Sequence, residues 1–189
     1  MHAHVDAAGL AKWNGTPTVF PVGRWDSGAP QSIIYAPTRS QEYRPSNHHG
    51  VDIMYRRKAS GGPDARFAVG TTEGIANWFM PAGQLCYAAK DGYIWSSGTG
   101  PTGRIVVIDH GAPFASCYIH MESLLIPDGI SRGAGRVPIR AGQPIGVIGY
   151  DPSDARKLRH LHFEIWFNGN GTAHVDPWPL INTAPLPAQ

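Results

Sequence analysis

The chain has 189 residues, which is enough for one domain with its own core and short for two. Its 23 Gly and 17 Pro interrupt the sequence more often than a helical protein tolerates. The net charge of +2 is too small to indicate a nucleic-acid-binding protein, and no apolar run approaches the roughly 20 residues that span a bilayer. The composition therefore predicts a protein of strands and loops with no nucleic-acid partner and no membrane span.

Residues 1–45 are predicted to form an irregular N-terminal extension. They mix Gly, Pro, Trp and Ser, and only residues 31–35 have the pattern of a short strand. We expect this extension to wrap around the domain rather than fold alone. His2 and His4 have the spacing of metal ligands, but a chain terminus is a poor position for a metal site. We therefore exclude them from the candidate site.

Beyond the extension, residues 46–180 are predicted to form the functional domain, followed by a Pro-rich tail over residues 181–189. Short strand patterns separated by turns favour a mainly β fold: a compact, largely antiparallel sheet with a groove between loops. The predicted strands cover residues 51–55, 84–88, 92–95, 105–110, 115–121, 144–149 and 160–167.

The connections between these strands are also predictable in part. Residues 90–92, Lys-Asp-Gly, have the composition of a hairpin turn, and residues 111–113 should join two antiparallel strands. Residues 54–79 are predicted to be a long surface loop with a short helical turn near residues 72–78, because they contain adjacent glycines, a proline and mixed charge.

The strongest local pattern lies in residues 160–167, where apolar residues alternate with polar ones. Alternate side chains of a strand share a face, so His160 and His162 would project together while Leu161 and Phe163 enter the core. Two adjacent imidazoles suit a zinc site, or a zinc ligand beside a proton-transfer group. Taken alone, such a pair is more often an incidental polar face of a strand.

A second candidate pair is His48 and Asp52, four residues apart. A helix is disfavoured there, so we expect a bend at Gly50 that swings His48 back toward Asp52 at the start of a strand. Imidazole nitrogen and carboxylate oxygen form a common partial shell for zinc, and one further histidine would leave a position for water. His49 competes for the same role, and we interpret it as a neighbour of the site.

A third candidate is His120, near the end of a predicted strand. Strict alternation places Tyr118 and His120 on one face of that strand. A lone histidine on a strand is usually structural, and we give that interpretation to His110 and His174.

These segments, in this order, resemble peptidase family M23, which includes lysostaphin and the LytM-type endopeptidases. His48 and Asp52 are similar to the family's His-x-x-x-Asp, and residues 81–92 to its Pro-x-Gly-x-x-Val-x-Ala-x-x-x-Gly strand pair. Asp109-His110-Gly111 followed by Tyr118-Ile119-His120 resembles its Asp-His-Gly and Tyr-x-His run. Residues 141–146 and 160–164 complete the series, so that the resemblance covers residues 47–179.

The resemblance implies a zinc-dependent endopeptidase that cleaves peptide cross-links of bacterial peptidoglycan. One Zn²⁺ per chain would be held by His48, Asp52 and His162, and His120 and His160 would be the catalytic pair. Two neutral imidazoles and one carboxylate leave the site near +1, which lowers the pKa of a zinc-coordinated water toward roughly 7. Glu164 could hydrogen-bond a ligand imidazole or be an ordinary structural carboxylate, and both interpretations are open.

Two loops depart from the family pattern. Residues 54–79 intervene where members often run directly into the Pro-x-Gly segment, and residues 151–159 contain no glycine where members often have Ser/Thr-Gly-x-x-Gly-Pro. Both loops should wall the groove. The sequence therefore leaves open whether the cleaved bond is in a glycine bridge or a D-alanyl to diaminopimelate link, and whether a terminal residue is trimmed instead.

Other functions are compatible with the same fold. One is a non-catalytic domain that binds the cell wall or activates another hydrolase, although loss of one of the five site residues would then be expected. Another is a cell-wall-degrading component of a phage or secretion apparatus. An extracytoplasmic location, in the periplasm, cell wall or medium, follows from the expected substrate. Residues 1–10 lack the layout of a secretory signal, so a trimmed leader or delivery by an apparatus would be needed.

Overall fold

The computed structural model describes residues 7–26, 34–35, 37–56, 74–75, 78–132, 137–167 and 173–188. The elements, numbered in chain order, are α1 Ala7–Asn14, β1 Trp25–Asp26, β2 Ile34–Tyr35, β3 Pro37–Gln41, β4 Val51–Arg56, β5 Gly74–Ile75, β6 Trp78–Phe79, β7 Leu85–Tyr87, β8 Gly92–Gly100, β9 Gly103–Asp109, β10 Phe114–Leu124, β11 Val137–Ile139, β12 Pro144–Ile148, β13 Leu161–Phe167, β14 His174–Val175 and α2 Trp178–Ile181. Among the described residues, no helix has the length and apolar character that crossing a membrane requires.

One sheet organises the domain. Its main order is β11-β8-β9-β10-β13-β4-β6-β5, and β3, β7, β12 and β14 pair beside this path. Every strand pair among the described residues is antiparallel. The predicted mainly β, antiparallel fold is confirmed.

The central strand β13 divides its side chains between the two faces of the sheet. Leu161, Phe163 and Ile165 belong to the main hydrophobic core, where Phe163 packs against the ring of Tyr118 on β10. The alternate residues face the other way, and Trp166 belongs to a second, smaller apolar cluster. This alternation places polar side chains of β13 on the face opposite the main core.

The connection at residues 111–113 is the predicted one. β9 and β10 pair antiparallel from Asp109 and Ala115 onward, and the backbone N–H of Phe114 donates to the carbonyl of Gly111 at 3.1 Å.

The hairpin predicted at residues 90–92 does not form. β7 pairs with β12, whereas β8 pairs with β9 and β11. The Asp91 carboxylate instead accepts from the backbone N–H of Ala141 at 2.8 Å and pairs with Arg140. The Asp91 carboxylate therefore bonds to the loop that contains Arg140 and Ala141, and β7 and β8 pair with different strands.

The long loop predicted over residues 54–79 is shorter at both ends than expected. β4 continues to Arg56, β6 begins at Trp78, and residues 74–75 are in β5 rather than in a helical turn. Strand pairing decides this, since Tyr55 lies opposite Phe79 and both are fully buried. Residues 57–73 and 76–77 of the predicted loop lie outside the described residues.

The N-terminal extension is more regular than the sequence predicts. It contains α1 and β3, and β3 pairs with β4. Trp13, Phe20 and Val22 lie in the main core, and the indole N–H of Trp13 donates to the carbonyl of Leu180 at 2.9 Å. Apolar side chains spaced along an otherwise irregular segment therefore fix its conformation through tertiary packing. His2 and His4 lie outside the described residues, and the domain boundaries at residues 45 and 180 stay predictions.

A buried ammonium group also holds this extension. Lys90 is 3% exposed, and its Nζ donates to the carbonyls of Trp13 at 2.7 Å and Thr16 at 2.8 Å and to the Thr18 hydroxyl at 2.8 Å. Burial lowers its pKa to about 8. The N–H donors of the Lys90 ammonium therefore bond to the N-terminal segment.

Candidate metal centre

The three predicted ligands converge on one point. Asp52 on β4 lies directly opposite His162 on β13, and His48 precedes β4. The Oδ1 atom of Asp52 is 3.0 Å from His48 Nε2 and 3.0 Å from His162 Nδ1. Ligand atoms around a tetrahedral zinc ion are about 3.3 Å apart, given bonds of about 2.0–2.1 Å. The three side chains therefore form a group that could hold a metal ion.

Gly50 makes this convergence possible. The chain bends there, as predicted, and runs against β13. A Cβ atom at this position would lie 2.4 Å from the carbonyl oxygen of Phe163 and 2.8 Å from His162 Nε2. Only glycine leaves room for the His162 ring at this approach.

In each imidazole of the predicted ligands, the ring nitrogen that points away from Asp52 is hydrogen-bonded to another residue. His48 Nδ1 donates to the carbonyl of Glu42 at 2.6 Å, and His162 Nε2 donates to the Glu164 carboxylate at 3.1 Å. The second Glu164 oxygen accepts from the Trp166 indole at 2.6 Å. These bonds keep a proton on His48 Nδ1 and His162 Nε2. His48 Nε2 and His162 Nδ1 face the Asp52 carboxylate, and a metal bound there would replace the protons on these two nitrogens.

The electrostatics also favour a cation at this point. Burial opposes ionisation of Asp52, but hydrogen bonds from His162 and His48 outweigh it and hold the pKa of this carboxyl well below its usual range. Burial likewise opposes protonation of His162, but its hydrogen bonds to Asp52 and Glu164 raise its pKa to about 9. Two buried carboxylates flanking one imidazole therefore attract positive charge, and this donor set fits a divalent ion.

The predicted catalytic pair lies beside the ligands. The ring centroids of His120 and His160 are 4.6 Å apart, and those of His120 and His162 are 5.7 Å apart. His120 Nδ1 donates to the carbonyl of Thr102 at 2.7 Å, and His160 Nδ1 to that of Leu158 at 2.8 Å. The Nδ1–H of each ring is therefore used by a backbone carbonyl, and His160 Nε2 is 3.8 Å from Asp52 Oδ1. Burial and the neighbouring His160 lower the pKa of His120 to about 4.

His120 reaches this position through an unusual backbone conformation. Its φ is +66°, in the left-handed region, and the pairing of β10 with β9 shifts register between Tyr118 and Met121. The prediction that Tyr118 and His120 share a face is therefore wrong. Tyr118 stays in the main core, whereas the bulge turns His120 to the opposite face, beside His162.

The remaining histidines take other positions. His49 is exposed and packs against the ring of His174, with centroids 4.3 Å apart, so it lies beside the ligand group and not in it. His110 hydrogen-bonds through both ring nitrogens, as expected of a structural histidine. His174 Nε2 is 4.0 Å from the Glu164 carboxylate. The sequence does not predict this contact or the backbone carbonyls that orient the rings. Every residue has a backbone carbonyl, so residue types do not indicate which carbonyl will accept a hydrogen bond.

An open groove of about 660 Å³ lies over the five residues. Its walls include Trp78, Asp151, Asp154 and Arg156, and Ile119 lies among its lining residues. The segment 151–159, which departs from the family pattern, therefore lines the groove as predicted. Its lining combines polar and apolar side chains, as ligand-binding clefts usually do.

The sequence profile of peptidase family M23 matches residues 71–177. This match spans more than half of the chain. The chain belongs to peptidase family M23. The matched range includes His120, His160 and His162 and begins after His48 and Asp52, so the inclusion of these two residues in the site rests on the geometry described above.

One curated protein is similar to this chain in sequence, and two solved structures are similar to it in fold. The lipoprotein NlpD of Yersinia enterocolitica is 28% identical over 89 residues, which are 46% of this chain and 81% of NlpD. A LytM structure from Ruminococcus gnavus has a TM-score of 0.56 at 19% identity, covering 95% of this chain and 65% of that one. A chain of the SpoIIIAH and SpoIIQ complex also has a TM-score of 0.56, at 15% identity over 87% of this chain and 99% of that one.

Several of the solved chains are considerably longer than this one, which covers 38%, 58% and 65% of three of them. Membership of peptidase family M23, together with the group formed by His48, Asp52 and His162, supports the assignment of this chain to the metallopeptidases.

Proposed function

We propose that this chain is a zinc-dependent endopeptidase that cleaves peptide cross-links of bacterial peptidoglycan outside the cytoplasm. His48, Asp52 and His162 would hold one Zn²⁺, and His120 and His160 would act on the substrate. The observation that supports this most strongly is the convergence of these five side chains in one groove, with the outer nitrogen of every imidazole hydrogen-bonded.

The ligand group has the composition and charge of a catalytic zinc site. Two imidazoles and one carboxylate leave a coordination position open, unlike the closed four-ligand sites that only stabilise a fold. Zinc bound there would supply a Lewis acid that polarises the scissile carbonyl and lowers the pKa of a water molecule. The chain itself supplies the orientation of the ligands through Glu42, Glu164 and Gly50.

His120 and His160 would carry the proton transfers. Their Nδ1–H groups are used by backbone carbonyls, so each Nε2 enters the groove as an acceptor. One Nε2 would take the proton of the attacking water and pass it to the leaving amine, and the other Nε2, once it has taken a proton from solvent, would donate to the oxyanion. The chain has no His-Glu-x-x-His segment, so no glutamate base of that peptidase class competes for this role.

Digestion of purified sacculi would test the proposal. Sacculi with glycine bridges and sacculi with direct D-alanyl to diaminopimelate links would each be treated with the zinc-loaded protein, and the products identified by mass spectrometry. We expect split cross-links from one type, loss of activity with a chelator and recovery with Zn²⁺. Asp52→Ala should lose bound zinc, whereas His160→Ala should keep zinc and lose nearly all cleavage.

Each other outcome identifies a different function. Release of single amino acids would indicate a carboxypeptidase. Binding to sacculi without cleavage by zinc-loaded protein would indicate a cell-wall-binding or hydrolase-activating domain. Full hydrolysis by His160→Ala would contradict the assignment of that residue.

A further inference from the structure

The backbone of Gly149, just after β12, connects the two histidines of the catalytic pair. Its N–H donates to the carbonyl of His120 at 2.7 Å, and its carbonyl accepts from the N–H of His160 at 3.1 Å. One peptide segment therefore contacts both residues through the main chain. This contact is independent of the metal ligands and of the groove lining, since Gly149 is buried and lies outside both.

No side chain fits at Gly149. A Cβ atom there would lie 2.8 Å from the carbonyl oxygen of His120 and 2.8 Å from the backbone nitrogen of Glu122. Both of these are backbone atoms, which cannot rotate aside as a side chain can. The close approach of β12 to the bulge of β10 therefore requires glycine at this position.

The side chain of Arg159, the residue before His160, makes a second link between the segments that carry His120 and His160. Its guanidinium donates to both carboxylate oxygens of Glu122, at 2.7 Å and 3.3 Å, and to the carbonyl of Ile148 at 3.1 Å. The Arg159 side chain is only 15% exposed. A two-oxygen contact with a third bond to the backbone holds a guanidinium in one orientation more firmly than an ordinary surface ion pair.

The contacts of Gly149 and Arg159 surround the backbone of His120, which has an unfavourable conformation. A non-glycine residue at a φ of +66° is strained, and it persists only where surrounding contacts hold it. Glu122 follows His120 by two residues, and Arg159 precedes His160 by one. The ion pair therefore joins the two chain segments that carry the catalytic imidazoles, and Gly149 joins the same segments through the backbone.

We propose that Gly149, Arg159 and Glu122 are positioning residues. They hold the imidazoles of His120 and His160 at the separation that catalysis requires, with ring centroids 4.6 Å apart. The inference rests on the proposed function, because it presumes that these two rings act on the substrate. It adds that the glycine-free segment 151–159 of this chain is anchored to the catalytic pair through Arg159. These residues act through the histidines and make no contact with substrate.

A mutant cycle tests the ion pair. Arg159→Met should lower kcat about tenfold to a hundredfold, since displacement of about 1 Å in a catalytic group can cost that much. KM and zinc content should stay as in the wild type. Glu122→Ala should have a similar effect, and the double variant should be no worse than Arg159→Met alone. Arg159→Lys, which keeps the charge but not the two-oxygen contact, should recover activity only in part. Arg140→Met, which breaks an exposed ion pair with Asp91, is the matched control.

Gly149→Ala tests the backbone connection, with Gly98→Ala as its control because a Cβ at Gly98 meets no atom within 4 Å. We expect Gly149→Ala to lose more activity than Arg159→Met. If Gly149→Ala does not fold, the Arg159 variants decide the proposal. A kcat of Arg159→Met within twofold of the wild type would overturn it, as would additive losses in the double variant.

A structural measurement separates this inference from the proposed function. If the wild type cleaves no substrate, the proposed function fails, and crystal structures of the wild type and Arg159→Met then judge the positioning role. A wider His120–His160 separation in the variant supports it. An unchanged separation, with the His120 backbone still in the left-handed region, overturns it.

Discussion

Two histidines at opposite ends of the β9–β10 hairpin share most of their properties and differ in one. His110 Nδ1 donates to the carbonyl of Asp91 at 2.8 Å, and His120 Nδ1 to that of Thr102 at 2.7 Å. Burial lowers the pKa of each to about 4. The difference is at Nε2: that of His110 accepts from the Ser116 hydroxyl at 2.7 Å, whereas no described residue hydrogen-bonds to Nε2 of His120.

Burial and a shifted pKa are therefore not sufficient grounds to propose that a histidine is catalytic. Both rings are neutral at pH 7 and both are oriented by a backbone carbonyl. What distinguishes His120 is a lone pair left open beside a group of potential metal ligands, together with a backbone bent to put it there. The bond to Ser116 gives His110 a structural role.

The largest expected effect separates the two residues by hydrolysis. His120→Ala removes the open nitrogen and should lower kcat by about 10²-fold to 10⁴-fold, the usual contribution of a proton-transfer group. His110→Ala should change kcat by less than about threefold once the protein is folded. Peptidoglycan hydrolysis by the two variants, at matched zinc content measured by metal analysis, checks this. Equal losses in both variants would contradict the distinction.

The next effect concerns acid stability, for which His110 is the clearer probe because it lies away from the proposed metal ligands. Its pKa is about 4 in the folded state and about 6.5 when unfolded, so the unfolded chain binds more protons between these values. Stability is therefore lost as the pH falls from about 6.5 to 4, by at most about 3 kcal/mol. His110→Asn should flatten this part of the stability profile, measured by urea unfolding at a series of pH values. An unchanged slope would show that other groups cause the acid sensitivity.

The sequence predicts the parts of this molecule that depend on residue type and period. The alternation in residues 160–167 is sufficient to place Leu161 and Phe163 in the core and His162 on the opposite face. Gly50 is sufficient to predict the bend beside the ligands, because a glycine just before a strand pattern favours a turn. The five site residues follow from the family resemblance, and the structure brings them into one groove.

Features decided by distant contacts are not predictable in this way. The period-2 rule puts His120 on the face of Tyr118, since nothing in the local sequence indicates a left-handed residue whose carbonyl accepts from Gly149, just after β12. The Lys-Asp-Gly turn predicts a hairpin because its composition is local, whereas its real partner, Ala141, lies 50 residues away. The structural role of His110 is expected only because most histidines on strands are structural, and its bond to Ser116 gives the physical reason.

The smallest expected effect comes from Ser116→Ala, which opens Nε2 of His110 and so makes its hydrogen bonding resemble that of His120. Because His110 Nδ1 keeps its proton for Asp91, the Ser116 hydroxyl must donate to Nε2, and the Tyr118 hydroxyl at 2.9 Å can then donate to Ser116. Losing this buried link should cost about 1–3 kcal/mol of unfolding free energy. Exposed Ser123→Ala on the same strand is the control and should change stability by less than about 0.5 kcal/mol. Hydrolysis should be unaffected in both variants, because the open nitrogen of His110 has no metal ligands beside it and so no substrate to act on. A fall in kcat for Ser116→Ala at unchanged zinc content would contradict this. It would mean that core residues of β10 also affect catalysis in the groove.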